Sequence, residues 1–321
     1  MDLIGRPDGL LTPCPGGSVF NFTRAMARQG IGTLYLNPLS ADRFGRQLAG
    51  ALSADGVRLA RPEPVPQPTA LAVVALSEDG HPDYAFYRQG VADRAVTAAA
   101  LTASCAAVPT LRMVCSGCLA LAPEDAAVYL PWLAACRQAG QTVVVDANLR
   151  PSAMPDRAAY RRNVLAALAL ADVVKASDED LGHLGIAGDT PLAQARGLLN
   201  DTGAQLMALT LGGQGACLLS RRGVWHACEA GPVDVVDTVG AGDCFLAGLL
   251  TALLLEEEKD AGLALHALAD APARRIVAHA VASASLCVMQ QGCVPPSRGQ
   301  VLARRRSHPC RIGFAPFTPG A

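Results

Sequence analysis

The sequence carries almost no excess of either charge: 27 Lys and Arg stand against 28 Asp and Glu, a net charge of −1. A chain without a basic field has nothing to hold a nucleic acid or an anionic bilayer, so neither is expected as a partner. No run of about 18 apolar residues is free of charge or Pro, so no membrane-spanning helix is expected. The opening Met1-Asp2-Leu3-Ile4-Gly5-Arg6-Pro7 lacks the basic start and apolar run of a secretory signal. Charged residues are scarce at 17% while hydrophobic ones reach 51%, which excludes a disordered chain. The 11 cysteines are odd in number and scattered. They are expected as free thiols in a reducing cytoplasm. The C-x-x-C of Cys115 and Cys118 closes the apolar run Leu111 to Val114. It is expected as small buried residues at a strand end, not as a zinc or redox motif.

What is present is an alternation. A chain of 321 residues can bury a large core as one α/β domain. Helical patterns at 20–29, 46–54, 157–171, 244–256 and 273–289 alternate with strand-like runs at 33–36, 141–146, 172–175, 205–211 and 217–220. Continuous apolar strands between helices predict a doubly wound, mostly parallel sheet with helices on both faces. Ligands in such sheets bind beyond the carboxyl ends of the strands. One segment departs from the alternation. A Pro-rich connection over 61–68 leads into a strand at 69–76, a turn at 77–82 and a second strand at 84–88. This predicts a hairpin, read as a small β-lid over the crevice, with the lid built from about 3–16 and 62–93 and the whole chain forming one domain. The arginine-rich tail from Arg304 is expected as a loose, solvated terminus, and Glu256 to Asp260 as a solvated helix end. His81, His183, His226 and His279 show no ligand spacing and are expected in turn, surface or packing roles.

The chemistry concentrates in Asp237-Thr238-Val239-Gly240-Ala241-Gly242-Asp243-Cys244. Glycines allow a tight turn that gathers backbone N–H groups, and a helix starting near Ala241 would point its positive end at the same spot. Gly240, Ala241 and Gly242 would then form an anion hole. Asp243, in the first turn, could take the proton of an attacking hydroxyl while the hole holds phosphoryl oxygens.

That string resembles the second signature of the PfkB/ribokinase family of sugar kinases, and it has company. Pro15-Gly16-Gly17-Ser18-Val19-Phe20-Asn21 resembles the first signature, Asp42-Arg43-Phe44-Gly45 the G-x-D-x-F-G segment, and Thr210-Leu211-Gly212-Gly213-Gln214-Gly215 the T-L-G-x-x-G nucleotide loop. The motifs occur in family order from about residue 2 to residue 296. The resemblance implies a ribokinase-like fold and transfer of phosphate from ATP, with Mg²⁺, to a sugar primary hydroxyl; a monovalent cation often assists in relatives. It implies Asp243 as base, and Asp2, Gly16, Gly17 and Asn21 at the sugar. It places Ser177, Thr210, Gly212, Gly215 and Thr238 beside the nucleotide. The family's N-x-x-E near the metal becomes Ser177-Asp178-Glu179-Asp180 here, so Asp180 is expected to act on Mg²⁺ through a bridging water.

The stretch from Tyr84 to Arg94, the Asp146-Ala147-Asn148-Leu149-Arg150-Pro151 segment and Lys175-Ala176-Ser177-Asp178-Glu179 resemble bacterial fructokinases. They imply Arg88, Asn148 and Arg150 as sugar contacts. The first alternative is 2-keto-3-deoxygluconate kinase, in which the arginines would face a carboxylate. In one respect the sequence departs from the pattern. Only Met1 precedes the segment that resembles the end of the family's first strand, so that strand is expected to be missing, with Asp2 left on a frayed terminus. A start site placed about ten residues late is one explanation. A truncated, catalytically weak sugar or nucleotide binder is the other. The resemblance also implies a homodimer through the lid, whose hairpin has free edges.

Overall fold

The computed structural model describes residues 1–5, 10–76 and 82–317. Strands β1 (Asp2–Gly5) and β2 (Leu11–Cys14) lead into helix α1 (Ser18–Arg28). Then come β3 (Leu34–Tyr35), α2 (Arg43–Ala54), β4 (Arg58–Leu59), β5 (Leu71–Leu76) and β6 (Pro82–Tyr87). The alternating part runs α3 (Ala98–Ala106), β7 (Met113–Gly117), α4 (Ala126–Gln138), β8 (Thr142–Asp146), α5 (Arg157–Leu168), β9 (Val173–Ser177), α6 (Asp178–Leu184), α7 (Pro191–Thr202) and β10 (Leu206–Thr210). The chain closes with β11 (Ala216–Ser220), β12 (Gly223–Cys228), α8 (Ala241–Lys259), α9 (Asp270–Val288), α10 (Arg298–Ser307) and β13 (Arg311–Pro316).

The main sheet has the order β13-β12-β11-β10-β9-β8-β7. Strands β7 to β10 run parallel, while β10 to β13 pair antiparallel, so the parallel character expected of the whole sheet holds for one half. The parallel strands explain their own composition. Val143, Val145, Val174, Met207 and Leu209 face one core with Trp132, Tyr160 and Leu198. Their neighbours Val144, Val173, Leu206 and Ala208 face the other, with Phe245, Leu249 and Ile276. Along β8, β9 and β10 every side chain but the terminal Thr142, Ser177 and Thr210 is buried, which is why these strands read as apolar runs.

The second sheet has the order β2-β1-β5-β6. The expected hairpin is its β5–β6 pair, with Leu71 opposite Tyr87. Of its turn, residues 77–81, His81 included, lie outside the described residues. Asp42 ties this sheet to the rest. Its carboxylate caps α2 through Gly45 N at 2.7 Å and accepts from the Thr69 amide and hydroxyl, each at 2.7 Å. A Cβ at Gly45 would overlap the Ser40 carbonyl, which accounts for that glycine.

Three expectations are corrected. The amino terminus is not frayed. Met1 is buried, its ammonium donates to the Ala70 carbonyl at 3.0 Å, and β1 lies between β2 and β5. The tail is not loose. A Ser297/Gln300 capping box starts α10, Arg304 is buried against Glu229 at 2.8 Å, and β13 closes the sheet on β12. Nor is Glu256 solvated. It is buried between Arg275 and Lys259, at 2.5 and 2.8 Å. An ion pair and a strand edge depend on residues distant in sequence, and neither leaves a local signature.

Among the described residues strand β7 pairs only with β8, and β3 only with β4. Both unpaired edges line a single cavity of about 1360 Å³, which continues to the carboxyl ends of the parallel strands.

Candidate active site

Four parallel strands end at this cavity. Gly117 closes β7, Asp146 closes β8 with Asn148 two residues on, Lys175 and Ser177 end β9, and Thr210 ends β10. The amino ends of α1 and α8 meet them from the other side. Helix α8 starts at Gly240, which holds φ +78°, and no side chain caps it. Ala241 N donates to the Thr238 carbonyl at 3.2 Å, and the other first-turn amides and the positive end of the dipole are left for a ligand.

Asp243 sits in that turn and is 6% exposed. Ser18 Oγ donates to its Oδ1 at 2.7 Å, and Asn21 Nδ2 donates to its Oδ2 at 3.0 Å. Asn148 Nδ2 donates in turn to Ser18 Oγ at 2.9 Å. Burial pushes the Asp243 carboxyl above its ordinary range, against the pull of the Ser18 and Asn21 hydrogen bonds and of the Lys175 and Arg150 charges. A buried carboxylate with a raised pKa is a stronger base than a solvated one, which suits it to accept a hydroxyl proton. Asn148 holds its donor at φ +36°, a left-handed conformation that Asn tolerates better than most residues.

Sequence reasoning passed over two of the residues that surround Asp243. Ser18 is the first, visible only as the residue after the diglycine. The second is Lys175, which forms a buried ion pair with Asp146 at 3.0 Å. Burial works against the Lys175 charge, but Asp146, Asp180 and Asp243 outweigh it and hold its pKa above normal. Burial lifts Asp146 to about 6 in spite of Lys175. A Cβ at Gly242 would lie 3.1 Å from Lys175 Nζ, so glycine there lets the ammonium come close to the anion hole.

The other expected residues fall as follows. Asp2, Gly16, Gly17, Asn21, Arg88, Asn148 and Arg150 all line the cavity. Gly17 takes φ +119°, and a Cβ at Gly16 would overlap the Asp2 carboxylate. Asn21 leaves its Oδ1 buried and unpartnered. Arg88 pairs with Asp125 at 3.0 Å and Glu124 at 3.7 Å. Arg150 folds back on the Leu149 carbonyl at 2.8 Å. Ser177, Thr210, Gly212, Gly215 and Thr238 form the opposite end of the same cavity. Gly215 is required at φ +90°, where a Cβ would overlap the Ala227 carbonyl. Asp180 accepts from Leu149 N at 2.7 Å and Ser177 N at 2.8 Å, so both its oxygens already bind backbone. The Cys115–Cys118 pair gathers no further metal ligands among the described residues.

Comparison with known proteins fits this geometry. The sequence model of the pfkB family carbohydrate kinases matches residues 11–298. A fructokinase of Rhizobium leguminosarum bv. trifolii is 34% identical over 285 residues, covering 85% of this chain and 84% of its own. Fructokinase-1 of Oryza sativa subsp. japonica is 32% identical over 253 residues, covering 75% and 74%. Among solved structures, a fructokinase of Xylella fastidiosa with bound ATP superposes with a TM-score of 0.77, at 26% identity, over 95% of each chain. A fructokinase of Vibrio cholerae O395 with fructose, ADP and calcium gives 0.74, at 25% identity, over 94% of each. An aminoimidazole riboside kinase of Salmonella enterica gives 0.74, at 26% identity, over 96% of each. The architecture is thus the ribokinase-like fold that the motifs implied. The chain belongs to the pfkB family of carbohydrate kinases and is an ATP-dependent sugar kinase.

Proposed function

We propose that this kinase is a fructokinase, converting D-fructose and ATP to fructose 6-phosphate and ADP. The observation that carries the mechanism is Asp243: a buried carboxylate at the uncapped start of α8, held by Ser18 and Asn21. The sugar enters between the main sheet and the four-stranded sheet, which acts as the lid. Asp2, Gly16, Gly17, Asn21 and Asn148 orient its hydroxyls, and the unpartnered Asn21 Oδ1 offers a buried acceptor to one of them. Asp243 removes the proton of the primary hydroxyl. The freed oxygen attacks the γ-phosphorus, the bond from that phosphorus to the β–γ bridging oxygen breaks, and ADP leaves with that oxygen. Gly240, Ala241 and Gly242 form the anion hole, whose free amides, with Lys175 beside them, stabilise the charge on the transferring group. Thr210, Gly212, Gly215, Ser177 and Thr238 receive the nucleotide.

The donor set fits Mg²⁺ only indirectly. With both oxygens on backbone amides, Asp180 would hold the ion through water, and the ion would supply neutralisation of phosphate charge. A monovalent cation remains part of the proposal. Fructose is preferred to the keto-acid on the state of the arginines: Arg88 already spends its charge on Asp125 and Glu124, and Arg150 on backbone carbonyls. The relatives named fructokinase support the same choice. We place the enzyme in the cytoplasm as a homodimer joined through the lid. Among the described residues no helix is long and apolar enough to cross a membrane.

The test is ADP release from Mg·ATP across fructose, 2-keto-3-deoxygluconate, ribose and aminoimidazole riboside. Turnover on fructose that collapses in Asp243→Ala supports the reading. Turnover confined to the keto-acid or to a riboside would overturn the substrate, and silence on all four would favour the weak binder.

A further inference from the structure

Beside the turn that opens α8, three sulfurs converge. The Sγ atoms of Cys244, Cys287 and Cys293 all lie within 4.8 Å of one another. Cys244 comes from the first turn of α8, Cys287 from the last turn of α9, and Cys293 from the loop that follows. Cys244 and Cys287 are buried, while Cys293 is partly exposed. Among the described residues, no other group of three His, Cys, Asp or Glu side chains brings its ligand atoms this close.

We propose that these three cysteines bind a thiophilic divalent cation of the zinc–cadmium type, and that its binding switches phosphoryl transfer off. Three thiolates around such an ion at about 2.3 Å place their sulfurs about 3.8 Å apart. The present spacing therefore needs to close by about 1 Å at most, within reach of side-chain rotation and the Cys293 loop. Each thiol gives up its proton, so one divalent ion and three thiols yield a tris-thiolate complex of charge −1 and three protons. The amino end of α8 favours that negative charge at Cys244. The partly exposed Cys293 side leaves room for water as a fourth ligand.

The coupling to chemistry is a contact. A Cβ at Gly240 would overlap Cys293 Sγ and Cβ, so this sulfur packs directly against the turn that opens α8. Cys287 Sγ donates to the Val239 carbonyl at 3.5 Å. Asp237 fastens the same two loops, accepting from Val239 N at 3.0 Å and Gly292 N at 2.9 Å. Drawing the sulfurs around an ion removes the Cys287 hydrogen and pulls Cys293 off Gly240. The Val239–Gly242 backbone must follow, and with it the anion hole.

Binding is independent of the kinase reading; only the inhibition rests on it. The full chain, kept reduced by a phosphine, is titrated with Cd²⁺ while the ultraviolet sulfur-to-cadmium charge-transfer band is read. One equivalent should produce a band of three thiolate bonds. Cys293→Ser should weaken that binding by at least about 100-fold, since changes outside the ligand shell alone cost 10–100-fold. Cys287→Ala should do the same, and Cys105→Ser, at a separate buried cysteine pair, should not. Near-ultraviolet circular dichroism checks that each variant folds. In the kinase assay, micromolar Zn²⁺ should inhibit reversibly with a chelator, and Cys293→Ser should keep its basal rate and lose the sensitivity. A band that survives both Cys293→Ser and Cys287→Ala in folded protein overturns the site. Binding without any change in phosphoryl transfer overturns the switch, even if the site stands.

Discussion

The Asn21 amide reaches Asp243 Oδ2 at 3.0 Å across 222 positions of sequence. With its NH₂ on the carboxylate, Asn21 keeps Oδ1 buried without a partner. One side chain thus fixes the base and presents an acceptor beside it. Asp243→Asn keeps the shape and removes the basicity. We expect kcat to fall by about 10²–10⁴-fold, the usual contribution of a general base. The melting temperature should stay close to that of the parent, since a buried carboxylate whose pKa is raised by burial adds little to stability near neutral pH. A steady-state assay alongside a thermal melt checks both.

Ser18 acts through the same carboxylate. Its hydroxyl donates at 2.7 Å to Oδ1 and so favours the ionised form. Ser18→Ala removes that support, and the Asp243 pKa rises further. The acid limb of the kcat/KM profile should move to higher pH, with a loss of roughly ten-fold on the acid side and much less on the alkaline side, as expected for one hydrogen bond to a charged group. An equal loss at every pH would show that Ser18 only shapes the cavity.

These two residues also mark how far the sequence could be read. Asp243 and the glycines before it announce themselves, because a tight turn into a helix needs glycine and few other sequences provide one there. Ser18 is a small polar residue in a motif marked by its glycines. Lys175 and Asp146 each open a string that resembles fructokinases, but nothing local in either string shows that the two pair. The tail was misread for a similar reason: β13 gains its order from the β12 edge and Arg304 from Glu229, both far away in sequence. Periodicity reports what a segment does alone. It is silent on ion pairs and edges that only the folded chain brings together.

His279 gives a prediction about stability. It is 1% exposed, and its Nε2 meets Gln29 Oε1 at 2.8 Å. Burial, with the Arg305 and Arg298 charges, lowers its pKa from 6.5 to about 4. Above pH 6.5 both folded and unfolded chains carry it neutral. Between that pH and about 4 the unfolded chain takes a proton that the folded chain refuses, so stability falls with pH, by up to about 3 kcal/mol. Asp146, raised to about 6, pulls the other way, because the folded chain binds its proton first. The comparison must therefore be between variants. His279→Asn should flatten the loss of stability seen in urea melts between neutral and acid pH, and a parallel slope in the two proteins would remove His279 from the account.

Among the described residues the lid sheet ends on β2 and β6. Leu11 on the first is 50% exposed and Tyr87 on the second 60%. Exposed apolar side chains on outer strands are costly unless something covers them, and a second lid is the simplest cover. Sedimentation at micromolar concentration should show a dimer. Leu11→Glu with Tyr87→Glu should shift it to monomer by placing charge in the joint. A monomeric parent would sink the proposed assembly without touching the chemistry at Asp243.

The last prediction concerns the edges of β7 and β3. Among the described residues each strand has a single neighbour, and residues of both line the cavity that Met1 also lines. Burial lowers the pKa of the Met1 ammonium, whose charge is poorly solvated there. An apolar β-forming segment fused ahead of Met1 would replace that charge with an amide. Laid between the two edges, it would satisfy their backbone groups and cover Met113 and Leu34. Several ladder hydrogen bonds, at about 1 kcal/mol each, would raise the melting temperature by roughly 5 °C or more. Amide exchange along Met113–Gly117 should slow in the same protein. The control is an extension of equal length built from Gly and Ser, which has no apolar face to bury. If both extensions leave the melt and the exchange unchanged, the edges do not accept a strand. If only the apolar one stabilises and slows exchange, the two edges pair with an added strand.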